Sequence, residues 1–96
     1  MDAKKCAKTL WGYLTDCFER EQILSGFQDC FEDLEYNPEE ICNEMIDSLS
    51  DEDAGSLFFD MGYMALNELV GGDWGTWYEI LESMGFDAES IEFLNF

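Results

Sequence analysis

The chain contains no histidine, a single proline, and no lysine or arginine after Arg20. Without histidine the usual proton shuttle near neutral pH is missing, and so are the Ser-His and Cys-His arrangements of nucleophilic catalysis. The four cysteines, Cys6, Cys17, Cys30 and Cys42, form no CxxC pair. With no imidazole to join them, a structural zinc site is not expected. No glycine-rich phosphate loop is present either, because the GGDWG segment has neither the GxGxxG nor the GxxxxGK[ST] spacing. Asp51-Glu52-Asp53-Ala54-Gly55 resembles a calcium loop only superficially, lacking alternating ligands and a glutamate at the twelfth position. Paired carboxylates can hydrolyse glycosides, but a chain of this length has little room for a substrate cleft. These absences argue against an enzyme and predict no cofactor and no metal.

Long apolar runs are missing too, so no window reaches the length of a membrane span. Lys4, Lys5 and Lys8 precede only a short, interrupted apolar run, unlike a signal peptide. Cysteines lying beside apolar residues at helical spacing fit buried thiols in a reducing cytosol. The expected compartment is therefore the cytoplasm.

What is present is enough to fold. Ninety-six residues with 47% apolar content, including eight Phe, four Tyr, three Trp and five Met, suit one domain around one core. The apolar positions recur at steps of three and four, and no segment alternates with period two for long enough to suggest a strand. The fold class is all-α: a compact bundle of five to six short helices around a central apolar helix, about residues 51–70.

In chain order, the first helix is expected from Ala3 to Ile23, with a break at Ser25-Gly26. A second helix then carries Phe27, Cys30, Phe31 and Leu34 on one side and Asp29, Glu32, Asp33 and Glu35 on the other. A third starts at Asn37, with Pro38 at its first position and Glu40 completing a capping-box-like arrangement. It aligns Glu40, Glu44, Asp47 and Asp51 in one row opposite Ile41, Cys42, Met45, Ile46 and Leu49. Ser50 caps the central helix, in which Gly55 and Gly62 suggest close helix approach. Gly71-Gly72 stop it, and Asp73 caps a fifth helix bearing Trp74, Trp77 and Tyr78. Gly85 and Phe86 form its C-terminal motif, and Asp87 begins a last short helix with Ile91 and Leu94 facing inward. Trp74, Trp77 and Tyr78 are either core or a dimer or partner surface.

The charge asks for an explanation. From Glu21 to Phe96 there are twenty acids and no bases, whereas the first twenty residues carry four bases and three acids. Eleven of those acids fall between Asp29 and Asp53. Like charges at i, i+4 destabilise a helix by about 0.2–0.5 kcal/mol per pair. Helix dipoles account for Glu39, Glu40 and the Asp51 to Asp53 group, but not, on the expected boundaries, for Asp29, Glu32, Asp33, Glu35, Glu44 or Asp47. Solubility or salt tolerance would explain acidity in general, although a mixed-sign surface is equally soluble without the self-repulsion. A field of one sign instead suits docking on a basic surface, which excludes direct binding of nucleic acid or anionic membranes.

Helical carboxylates three or four residues apart step by about 4.5–6 Å, against about 3.4 Å between phosphates along a DNA strand. Rows on neighbouring helices can therefore imitate a phosphate track. The acidity, size and helical character, with the FEDLEYNPEE and DSLSDED stretches, resemble the DNA-mimic inhibitors of bacteriophages and other mobile elements. That class includes Ocr-like antirestriction proteins and small acidic anti-CRISPR proteins. The resemblance is one of overall character, with no alignable motif. It implies that the protein occupies the basic DNA-binding groove of a CRISPR effector or restriction enzyme in a bacterial host cell, in some cases as a homodimer. The carboxylates expected to stand in for phosphates are Asp29, Glu32, Asp33, Glu35, Glu40, Glu44, Asp47 and Asp51. Two other readings stay open: an immunity protein or antitoxin for a basic toxin, and a helical adaptor or transcription-regulating module binding through its aromatic surface.

Overall fold

Glu19 decides how the chain starts to fold. Its side chain accepts from the backbone of Gln22, and the Gln22 side chain accepts from the Glu19 backbone N–H, a reciprocal capping box. Two helices result where one was expected: α1, Ala3–Cys17, and α2, Arg20–Cys30. The computed structural model describes residues 3–34 and 36–86. The expected last helix from Asp87, with Ile91 and Leu94, lies outside them. The remaining elements are a 3₁₀ turn, Pro38–Glu40, then α3, Asn43–Ser48, and α4, Asp51–Met64, which widens into a π-helical turn, Ala65–Leu69. The fifth helix, α5, is Trp74–Ser83. The all-α expectation holds, and no strand occurs among the described residues.

The expected break at Ser25-Gly26 does not occur, because Gly26 lies inside α2 for a packing reason. A Cβ there would sit 2.8 Å from Met64 Sδ and 3.1 Å from Met64 Cγ. The missing side chain lets α2 approach the end of α4, and Met64 is fully buried. Gly26→Ala gains about 1 kcal/mol of helix propensity but overpacks a filled site, which costs about 1–3 kcal/mol. We expect a net loss of about 1 kcal/mol, measured by urea unfolding; a more stable variant would show that Met64 moves aside freely. Gly55, expected to mark close approach, makes looser contact: a Cβ there would be 3.9 Å from Ala3 Cβ.

The third expected helix is split. Asn37 does cap its start, accepting from the Glu39 backbone N–H at 3.0 Å, but only the 3₁₀ turn follows. Ile41 and Cys42 are extended, and Cys42 then caps α3, its Sγ accepting from the Met45 N–H at 3.4 Å. The kink buries both Ile41 and Ile46, and it interrupts the i, i+4 repulsion that a continuous acidic row would impose.

The core forms where α4 packs between α1 and α2, as its apolar circumference predicted. Leu10 and Leu14 of α1 and Leu57, Phe58, Met61 and Met64 of α4 are essentially inaccessible to solvent. Ser50 caps α4 through the Asp53 N–H at 3.1 Å. Gly71 and Gly72 turn the chain at φ +68° and +79°. Asp73 then caps α5, accepting from the Thr76 N–H at 3.2 Å and the Thr76 hydroxyl at 2.9 Å. The Thr76 hydroxyl first, and then its backbone N–H, hold the Asp73 carboxyl below its ordinary range.

The far end of α5 follows the expected motif. Gly85 has φ +88°, its N–H donates to the Glu82 carbonyl, and the Phe86 N–H donates to the Leu81 carbonyl, both at 3.0 Å. Phe86 is thereby seated edge-on against Phe58, with ring centroids 5.6 Å apart.

Candidate functional site

The new helix boundaries redistribute the carboxylates. Glu40 belongs to the 3₁₀ turn, Glu44 and Asp47 to α3, and Asp51 to the start of α4, so the expected four-residue row on one helix does not exist. Glu44 and Asp51 each fall in a first turn, where the dipole favours an acid. Glu44 therefore has the local explanation that a longer helix denied it. Asp29 lies in the last turn of α2, where the dipole opposes an acid. Glu32 and Asp33 lie beyond the end of the helix, not on its flank. All three are exposed. Glu35 lies outside the described residues.

Asp47 has a partner. The Lys8 ammonium pairs with its carboxylate, and Lys4 Nζ donates to its backbone carbonyl at 3.3 Å. Arg20 donates to the Glu39 carbonyl. Three of the four bases in the chain are thus turned onto its own Pro38–Ser48 region, where they tie a short, weakly helical segment to α1 and α2. The pairing with Lys8 removes Asp47 from the set of uncompensated acids.

A concave feature lies beside those acids. Phe31, Asp33, Leu34 and Tyr36, which follow α2, enclose with residues of α3 and α4 a cleft of about 390 Å³. Phe31, Leu34, Tyr36, Met45, Leu49 and Leu57 supply its apolar lining, and Asp33, Asp53 and Asp60 its carboxylates. The Tyr36 hydroxyl donates to Asp60 Oδ2 at 3.2 Å. Burial first, and then the Asp60 charge, push the Tyr36 hydroxyl far above its ordinary ionisation range, so it stays a donor. Phe31 also packs on Tyr63, centroids 5.9 Å apart, which holds one wall in place. Such a surface can receive a group that is apolar along its length and cationic at its end. Asp60 and Tyr36 carried no site signal in the sequence, since Asp60 falls within the expected central helix and Tyr36 at the expected end of the second.

The aromatic trio divides. Trp77 is 1% exposed and belongs to the core, so it is no part of a dimer or partner surface. Its position opposite the polar side of α5 turns it inward, where its indole N–H finds no hydrogen-bond partner among the described residues. Trp74 and Tyr78 are 39% and 37% exposed, with ring centroids 5.8 Å apart. They remain available as a surface pair.

The cysteines depart from the expectation of buried thiols. None of the four is in a disulfide among the described residues, but only Cys6 is buried; Cys30 is half-buried, and Cys17 and Cys42 are exposed. Burial, then the Glu68 charge and a hydrogen bond from the thiol to Glu68 Oε1, raise the Cys30 thiol to about 11. Since the thiolate is the reactive form, native labelling at pH 8 should show Cys17 and Cys42 reacting first and Cys30 lagging by at least about tenfold. Cys6 should react only on unfolding. Cys30 reacting as fast as Cys17 would contradict this packing against Glu68.

Among the described residues, no group of three or more His, Cys, Asp or Glu side chains is placed to hold a metal ion. Nor is any described helix long and apolar enough to cross a membrane. Compared with known proteins, the chain matches no family model, no curated protein and no solved structure.

Proposed function

We propose that the protein is a DNA-mimicking inhibitor that occupies the basic DNA-binding groove of a bacterial defence complex, either a CRISPR effector or a restriction enzyme. The observation that carries this reading is the fate of the charges. Twenty acids after Arg20 face no base in their own part of the sequence, and Lys4, Lys8 and Arg20 are engaged with the chain's own Pro38–Ser48 region. Solubility alone requires no such uniform sign. Asp29, Glu32 and Asp33, exposed without help from a helix start, are the first phosphate stand-ins, with the exposed Glu40, Glu44 and Asp51 as further ones. In this reading the protein catalyses nothing, needs no cofactor and works in the cytoplasm of the host cell.

Binding of this kind weakens steeply with salt, because it is the attraction of exposed charges across a screened interface. The test is affinity capture from bacterial lysate at low and high salt, with duplex DNA as competitor. A nuclease or CRISPR complex should be recovered at low salt, released at high salt and displaced by DNA. Recovery of a small basic toxin that DNA does not displace would replace the reading with an immunity function. Recovery of no basic protein would reduce the acidity to a matter of solubility.

A further inference from the structure

We infer that the cleft that Phe31, Asp33, Leu34 and Tyr36 form with α3 and α4 is a socket for one arginine side chain projected by the basic partner. The inference rests on the reading of the protein as a binder of a basic surface, and it names the anchor point of that binding.

Three features lead there. The volume, about 390 Å³, lies near the small end of ligand sites, about 300–1,000 Å³, which suits a side chain better than a docked helix. The lining combines apolar surface, including the aromatic rings of Phe31 and Tyr36, with the carboxylates of Asp33, Asp53 and Asp60, of which Asp33 and Asp53 are exposed. A cation on a long methylene stem matches both parts, since the stem covers apolar surface while the charge meets the carboxylates. The third feature is directional. Asp60 is held by the Tyr36 hydroxyl at 3.2 Å, so part of the acidic lining is oriented before any partner arrives.

Arginine fits better than lysine. Its planar guanidinium stacks on aromatic faces and donates a fork of hydrogen bonds to carboxylates, and it is less strongly hydrated than an ammonium. A metal ion fits worse, because among the described residues no acidic group converges closely enough to ligate one. Charge complementarity is thus what selects the occupant of a groove lined by both apolar side chains and carboxylates.

The test is a two-dimensional amide NMR titration of the full chain with three short capped peptides of sequence Leu-X-Leu, where X is arginine, lysine or citrulline. With arginine, shifts should concentrate at Phe31, Leu34, Met45, Leu49 and Leu57. Citrulline, which keeps the shape and loses the charge, should bind at least tenfold more weakly, and lysine several-fold more weakly. D33N/D53N, which leaves the apolar lining unchanged, should lower arginine-peptide affinity at least tenfold. Equal binding of arginine and citrulline, shifts spread over Asp29, Glu32 and Glu44 instead of the cleft, or no saturable shift at millimolar peptide would each overturn the socket. Spread shifts would still leave the acidic-surface reading intact. Conversely, cleft binding combined with failure to capture any DNA-displaceable complex would keep the socket and remove the DNA-mimic function.

Discussion

Reversing Asp29 and Glu32 to lysine lowers capture of the basic partner about a hundredfold at low salt, without lowering the stability of the fold. Each reversal replaces an attraction by a repulsion at an interface. At about 1.4 kcal/mol per site, a tenfold effect, two sites give about a hundredfold; close charge pairs reach about 1.5–7 kcal/mol. Stability should hold, because Asp29 sits in the last turn of α2. A lysine there is favoured by the helix dipole, by about 0.3–1 kcal/mol. Glu32 is exposed in the non-helical stretch that follows, where no helical backbone is at stake.

The companion variant is Asp47→Asn. Asp47 is paired with Lys8, so its loss should change capture by no more than about threefold and cost the fold roughly 0.2–1 kcal/mol, as for exposed ion pairs. Capture is read by pull-down or calorimetry at several salt concentrations, and stability by circular dichroism. If D29K/E32K captures the partner as well as the parent does, charge mimicry at this surface is wrong. If D47N is the more damaging change, the acids have been assigned to the wrong side.

Trp77→Ala lowers the stability of the fold by about 3–5 kcal/mol, the usual cost of truncating a buried aromatic. Trp77 is 1% exposed and belongs to the same core as Leu10, Phe58 and Met61. A protein of this size has about 5–15 kcal/mol in total, and each kcal/mol shifts the melting temperature by about 4–8 °C. The variant should therefore melt at least about 12 °C lower. Trp74→Ala, on the same helix but 39% exposed, should cost less than about 1 kcal/mol. Trp77→Phe should fall between the two: it loses packing area, but it also removes an indole N–H that has no partner among the described residues. Chemical unfolding of the three variants orders them. Equal losses in W74A and W77A would mean that α5 buries a different face.

Much of the fold was legible because its signals are local. Ser50, Asp73 and the Gly85-Phe86 pair were readable as caps, since a cap involves residues only two to five positions apart. The central position of α4 was readable from an apolar circumference that no solvated helix would carry. The missed break at Glu19 was local, but the other errors share one cause. Gly26 looks like a helix breaker unless Met64 is known to lie 2.8 Å from where its Cβ would be. The region from Asn37 to Leu49 has the periodicity of one helix, yet burying both Ile41 and Ile46 required a kink. Cys17 and Cys42, on apolar spacing, proved exposed: one is the last residue of α1 and the other caps α3 from the extended stretch before it.

The candidate site divides in the same way. Composition and order in the chain determined by themselves that this protein is helical, has a core, is acidic throughout after Arg20 and has no histidine chemistry. These properties are sums over residues or patterns within one helical turn, and no fold can alter them. Which acids are unopposed was decided only by tertiary structure. Lys8 reaches Asp47 across 39 positions, the end of α2 leaves Asp29, Glu32 and Asp33 exposed, and the cleft joins residues from three separate segments. Charge is written along the chain, but its compensation depends on distance in space, and packing sets that distance.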